Sequence, residues 1–284
     1  MRLDVIYPKD CSSMKEVLSG GVDLIVSGPP YWDYVDYSGF VEKPVNSTGV
    51  GNGRRDYEDF LCDVERWYAE CWRVLRPGRY CVLNVGTVRK EGKCVPIPFH
   101  VVPILEKIGF EFRYDIVWHK ISGGRRHARV LIRDPYPGRF TPNNKTEYLL
   151  VFQKQPGVPF ATEDRPITLR DRLVVDGLFK REISNNVWHI MPAPPSALHP
   201  CPFPPEVPLR LIELLSMKGE TVLDPFMGIG ITARAAKTLG RHFIGYEVEV
   251  AFVNAATANL DQPLKPRRAR FCKFVADTGR GPAR

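Results

Sequence analysis

Thr221-Val222-Leu223-Asp224-Pro225-Phe226-Met227-Gly228-Ile229-Gly230 is the stretch on which the fold turns. An apolar run short enough for a buried strand ends in an acid. A glycine-rich turn follows, and Ile231 to Leu239 continues at helical spacing. Gly228 and Gly230 let the backbone approach a ligand closely. The helix that opens there aims its N–H groups at the same place, which favours a carboxylate or another anion. The next strand, His242-Phe243-Ile244-Gly245-Tyr246, is followed by a second acid, Glu247, placed to take two ribose hydroxyls. A dinucleotide site would use the same logic, but its GxGxxG fingerprint ends here on Ala233.

Outward from this unit, the pattern alternates. Strands are expected at 5–7, 23–27, 80–85, 112–118 and 147–152, and helices at 57–75, 95–108 and 231–239. Pro77-Gly78 is read as ending the first helix. Seven strands alternating with helices predict an α/β sheet covered on both faces. Residues 120–145 and 154–200 break the rhythm. The first is basic and loop-like and the second is rich in proline, so both read as insertions that carry specificity.

The other chemically informative stretch is Ser27-Gly28-Pro29-Pro30-Tyr31-Trp32, directly after the strand 23–27. Two successive prolines stiffen the chain and remove two donors, while their carbonyls remain free to accept from an amine. Tyr31 and Trp32 offer flat faces for stacking. A base amine is a poor nucleophile because its lone pair is delocalised into the ring. Acceptors that draw on its protons push the nitrogen towards tetrahedral geometry. Such a base must leave the helical stack to be reached.

These motifs resemble those of the N4-cytosine and N6-adenine amino-methyltransferases in their β-class order, with the catalytic motif before the cofactor motif. Gly28-Pro29-Pro30-Tyr31 is similar to the D/N/S-P-P-Y/F motif, and Asp224 to Thr232 is similar to DPFxGSGTT. His199-Pro200-Cys201-Pro202-Phe203-Pro204 resembles the HPxxxP segment, Asp10-Cys11 the GD segment, and 72–80 and 147–152 are also familial. The resemblance implies a Rossmann-like seven-strand methyltransferase sheet in permuted order, with strands 23–27 and 221–224 as central neighbours. It implies S-adenosyl-L-methionine as cofactor, held by Asp10, Cys11, His199, Pro200, Asp224, Pro225, Phe226, Gly228, Gly230, Thr232 and Glu247. Catalysis is expected from Ser27, Gly28, Pro29, Pro30 and Tyr31. Residues 1–119 form the catalytic half of the domain and 201–261 the cofactor half. Between them, 120–200 is the basic loop and a short recognition insertion that includes strand 146–153, and 262–284 is a basic tail.

Two departures bear on specificity. Ile229 and Ile231 stand where the family has hydroxyls. Gly28 stands where the family places an acceptor side chain, usually Asp or Asn for adenine and Ser for cytosine. Ser27 lies one residue earlier and, on a strand, points the opposite way. The nearby serine, Trp32 and the Trp118-His119-Lys120 segment favour cytosine N4. A glycine before the prolines removes both an acceptor and bulk, which predicts that the enzyme tolerates a methylated amine and adds a second methyl.

The formal charge of +8 suits a polyanionic partner. Lys120, Arg125, Arg126, Arg129, Arg133 and Arg139, with Tyr136 and Phe140 interleaved, are expected to bind nucleic acid together with Trp32. DNA is the favoured target. RNA is the alternative, because 154–195 is short for a segment that reads a duplex groove. A protein amide fits less well, since enzymes of that kind carry the cofactor motif first. The seven cysteines show no zinc-like spacing and the histidines no ligand spacing, so no metal is expected. No signal peptide or membrane span is evident, which predicts a soluble cytoplasmic protein, monomeric or homodimeric.

Overall fold

The structure is a computed structural model that describes residues 1–30, 32, 56–90, 93–121, 137, 144–156, 167–168, 172–193 and 203–264. Ten strands are present among them: β1 (Val5–Tyr7), β2 (Val22–Ser27), β3 (Leu75–Val85), β4 (Val88–Lys90), β5 (Lys93–Val95), β6 (Phe110–Lys120), β7 (Thr146–Lys154), β8 (Val187–Ile190), β9 (Thr221–Asp224) and β10 (His242–Tyr246). Eight of them form one sheet in the order β1-β10-β9-β2-β3-β7-β6-β8. Within it β7 alone runs antiparallel to its neighbours. β2 and β9 are central neighbours, with Leu24 opposite Val222 and Ile25 opposite Leu223.

Side-chain alternation divides the core in two. Ile25, Cys81, Leu83 and Phe152 face a cluster built with α1 (Tyr57–Val74) and α2 (Ile97–Ile108). Leu24, Val26, Val82, Val151 and Val222 face the other way, towards α3 (Glu206–Leu215) and α4 (Ile231–Thr238). In α1 the residues Phe60, Val64, Trp67, Tyr68, Cys71 and Val74 are buried, the spacing of a single apolar stripe. The last helix, α5 (Val250–Asn259), follows β10.

All seven expected strands lie in the sheet, and three of the expected boundaries move. The first helix ends at Val74, and Leu75 is already extended at φ −72° and ψ 135°. The residue before a proline disfavours the helical region, so Arg76 cannot continue the helix into Pro77. Leu75 pairs with Val22 and Tyr80 with Leu24, so residues 76–79 bulge out of the ladder. The second helix starts at Ile97 rather than Val95, because Lys93–Val95 pairs with Val88–Lys90 as a hairpin. The sheet has an eighth strand that the sequence reading missed. β8, from the proline-rich stretch, pairs parallel to β6 with Val117 opposite Val187 and Lys120 opposite Ile190.

β8 is part of the core. Trp188 is fully buried, with its Nε1 3.4 Å from the carbonyl of Ile183 and the Arg210 guanidinium 5.2 Å from its ring. Trp188→Ala is therefore expected to cost about 3–5 kcal/mol, the range for emptying a buried aromatic site. Denaturant melts check this; a loss below about 1 kcal/mol would show β8 to be a dispensable edge.

Candidate active site

The parallel strands β2, β3 and β9 end on one edge of the sheet, where an open α/β sheet binds ligands. A cleft of about 140 Å³ lies there, lined by Gly28 and Pro29 on one side and by Asp224, Phe226, Met227, Gly228, Ile229, Ile231 and Thr232 on the other. The two motifs that lie about two hundred residues apart in the chain thus face each other. The walls between them are Asn84, Trp118, Lys120, Glu147, Pro192, Ala193, Phe203 and Pro204.

The turn between β9 and α4 is held rigidly. The Met227 amide donates to the carbonyl of Tyr246 at 2.8 Å, and the Gly230 amide to Met227 at 3.0 Å. Gly228 sits at φ 51° and Gly230 at φ 82°, both in the left-handed region. At Gly230 a Cβ would stand 2.8 Å from that of Ala256 in α5, so glycine is needed for space as well as for conformation.

Asp224 is 5% exposed, and its carboxylate accepts from the Phe226 amide at 3.0 Å. Burial pushes its carboxyl up to about 6 against the opposing pull of hydrogen bonds from Thr232 and Phe226. Glu247 accepts from the Gly228 amide at 2.7 Å and from Glu249 at 2.9 Å. Burial raises it to about 7, opposed by those two backbone bonds. The two carboxylates flank the glycine turn and could hold the polar groups of a cofactor. Glu247 does so from beside the cleft rather than within its lining.

Other expected residues fall elsewhere. The Ser27 hydroxyl is buried and lies 2.6 Å from that of Tyr68, on the α1 side of the sheet and away from the cleft. Strand alternation requires this, since Gly28 faces the opposite side. Pro30 is half-buried and does not line the cleft; Pro225 is buried beneath the turn. Trp32 packs edge-on against Tyr57, ring centroids 4.9 Å apart, rather than facing the cleft. Asp10 and Cys11 lie beyond β1. Asp10 accepts from the Ser12 amide at 2.6 Å, and Cys11 is packed in the core cluster on the α1 side, where burial raises its thiol. Lys120 does reach the cleft, but it ion-pairs with Glu147 and lies 5.3 Å from the ring of Trp118. Tyr31, Arg125, Arg126, Arg129, Arg133, Arg139, His199 and Pro200 lie outside the described residues. Among the described residues no group of three or more metal-ligating side chains is present.

The sequence reading missed Asn84 and Glu147. Asn84 Nδ2 donates to Glu147 Oε2 at 2.7 Å, and both are nearly buried. Neither belongs to a recognisable motif. Each is a polar residue at an inward position of an otherwise apolar strand, and that anomaly was the available signal.

One loop that seats a cofactor faces a second loop that offers free carbonyls, and this is the layout of a group-transfer enzyme. The N6/N4 DNA methylase family profile matches residues 22–258. The chain belongs to that family of DNA N4-cytosine or N6-adenine methyltransferases. It is 27% identical to the type II methyltransferase M.MthZI of Methanothermobacter thermautotrophicus over 278 residues, 92% of this chain and 77% of the relative. It is 29% identical to M.BglII of Bacillus subtilis over 272 residues, 89% of this chain and 68% of the relative. The structure of a DNA modification methylase from Thermus thermophilus, complexed with S-adenosyl-L-methionine, superposes with a TM-score of 0.68 at 26% identity, covering 90% of this chain and 93% of the other. The cytosine-N4-specific PvuII DNA methyltransferase shares the fold at a TM-score of 0.65 and 15% identity, covering 97% and 93%.

Gly230→Ala is expected to destabilise the protein by at least about 1 kcal/mol, since it adds left-handed strain to the clash with Ala256. Adding Ala256→Gly should relieve the clash and leave the strain. A Gly230→Ala melt equal to wild type would mean that the turn relaxes freely.

Proposed function

We propose that this chain transfers a methyl group from S-adenosyl-L-methionine to the exocyclic N4 of a cytosine in DNA. The observation that carries this reading is the single cleft between Gly28-Pro29 and the Asp224–Thr232 turn. When bound, the cofactor supplies an electrophilic methyl on a sulfonium. Asp224 and Glu247 would bind its polar ends as ionised acceptors, and the α4 N-terminus would face its carboxylate. The carbonyls of the Gly28-Pro29-Pro30 turn would accept from the target amine, with no proline N–H to compete. Phe203, Trp118 and Pro192 give the cleft apolar walls that limit water.

Lys120 favours cytosine over adenine. Its ammonium carries three donors, and its ion pair with Glu147 leaves others for the ring carbonyl that cytosine has and adenine lacks. Tyr31 would stack on the extruded base. The arginines of 125–139 would bind phosphates and release counterions. The type II methyltransferase relatives favour DNA over RNA.

The raised carboxyls give a pH dependence. Below their folded values of about 6 and about 7, Asp224 and Glu247 are protonated and accept more weakly. Cofactor affinity should therefore rise as pH goes from 6 to 8 and then level. Glu247→Gln should flatten most of that rise and weaken binding at pH 8 by about 1.5–3 kcal/mol, the worth of hydrogen bonds to a charged group. Calorimetric titration checks both; a pH-independent affinity in the wild type would remove these carboxylates from the cofactor site.

The product test uses isotope-labelled cofactor with unmethylated genomic DNA and, separately, total RNA, followed by nucleoside mass spectrometry. Label in N4-methyldeoxycytidine is expected. Label in N6-methyldeoxyadenosine would overturn the choice of base, and label in RNA alone would overturn the choice of polymer.

A further inference from the structure

Asn84 is 5% exposed, and its Oδ1 has no hydrogen-bond partner although it is out of contact with water. Such atoms are rare in folded proteins, because each costs the desolvation of a polar group without return. The orientation of the amide is fixed by its other end. Nδ2 donates to the Glu147 carboxylate, which can only accept, so the oxygen must be the free end. Glu147 is in turn held by Lys120.

The sheet register gives that oxygen an address. β2 and β3 are parallel, with Ser27 opposite Leu83. One residue further, Gly28 comes level with Asn84, and both face the α3–α4 side, where Asp224 also points. Asn84 lines the cleft beside Gly28 and Pro29. A Cβ built on Gly28 would meet nothing within 4 Å. The place where the resemblance calls for an acceptor side chain is therefore open space, and its lateral neighbour is a buried, unpartnered acceptor.

We propose that Asn84 supplies, from the adjacent strand, the amine acceptor that Gly28 lacks, with Glu147 as the residue that positions its amide. This rests on the amino-methyltransferase reading above. One amine proton is held by a carbonyl of the Gly28-Pro29-Pro30 turn and the other by Asn84 Oδ1, which turns the nitrogen lone pair out of the ring and towards the methyl. The nitrogen–methyl bond forms as the sulfur–methyl bond breaks, and sulfur keeps that electron pair. The surplus proton leaves the nitrogen for water, since neither amide oxygen is basic enough to keep it. With two acceptors present, an amine that already bears a methyl would have to direct it at one of them. The geometry thus opposes the second methylation that a glycine at position 28 alone would invite.

The test compares single-turnover rates on the polymer that the wild type labels. Asn84→Leu should slow methyl transfer roughly 10- to 100-fold, the effect of losing one hydrogen bond that strengthens in the transition state, with cofactor affinity unchanged. Asn84→Ala gives the same reading if leucine disturbs packing. Adding Gly28→Asn to either variant should restore much of the rate, because the new side chain grows into the open space. Wild type supplied with N4-methylcytosine DNA should give no N4,N4-dimethylcytosine. An undiminished rate in Asn84→Ala, no recovery with Gly28→Asn, or a dimethylated product from the wild type would each overturn the proposal. If the label proves to be on adenine, the cytosine reading fails, while the Asn84 and Gly28 rates still decide this inference on that base.

Discussion

The parallel pairing of β2 with β9 is the constraint on which the rest of the molecule depends. It joins the second strand of the chain to the ninth and brings Gly28-Pro29 and Asp224 to the same edge. The pairing is pinned by a buried polar contact. Asp23 at the start of β2 accepts from the amide of Thr221 at the start of β9, 3.0 Å away, and also pairs with Arg76 from the bulge before β3 at 2.6 Å. A slip of one residue would turn Leu24 and Val26 to the α1 side and carry Gly28 away from the cleft. The buried acid thus acts on register, and register acts on chemistry.

That same alternation sorts the polar residues. Ser27 and Gly28 are neighbours in the chain and belong to different sides of the sheet. Ser27 is spent on a hydrogen bond with Tyr68 that ties β2 to α1. Gly28, Asn84, Glu147, Lys120 and Asp224 share the opposite face at one edge. A serine near the prolines is therefore no substitute for a side chain on Gly28, and its presence says nothing about which base is bound.

Much of the fold is legible in sequence because its strands are buried on both faces and read as unbroken apolar runs, as at Asp23–Ser27 and Thr221–Asp224. β8 is not, because Val187-Trp188-His189-Ile190 is four residues long and alternates on the edge of a proline-rich stretch. α3 and α5 escape for different reasons. α3 begins among prolines that resemble loop, and α5 carries apolar residues all round rather than a stripe. The glycine turn and the double proline are legible because local geometry demands particular residues there. Asn84 and Glu147 are not, since their meaning lies in the pairing of β3 with β7, where Asn84 stands opposite Leu149 and Glu147 reaches across from two residues away.

The edge of the sheet also concentrates unfavourable electrostatics. Asp224 and Glu247 sit where burial favours their neutral forms, and Asn84 keeps an amide oxygen dry and unpaired. A chain selected for stability alone would replace such groups with apolar ones of similar shape, at little cost or with a gain. Their shared placement around one cleft indicates that the missing partners come from outside the chain. Polar groups fixed in advance by the backbone of a rigid turn and by a Glu147–Lys120 pair need no reorganisation when a ligand's donors arrive. The stability they forgo in the free protein returns on binding, most strongly where hydrogen bonds tighten as the amine nitrogen leaves the plane of its ring.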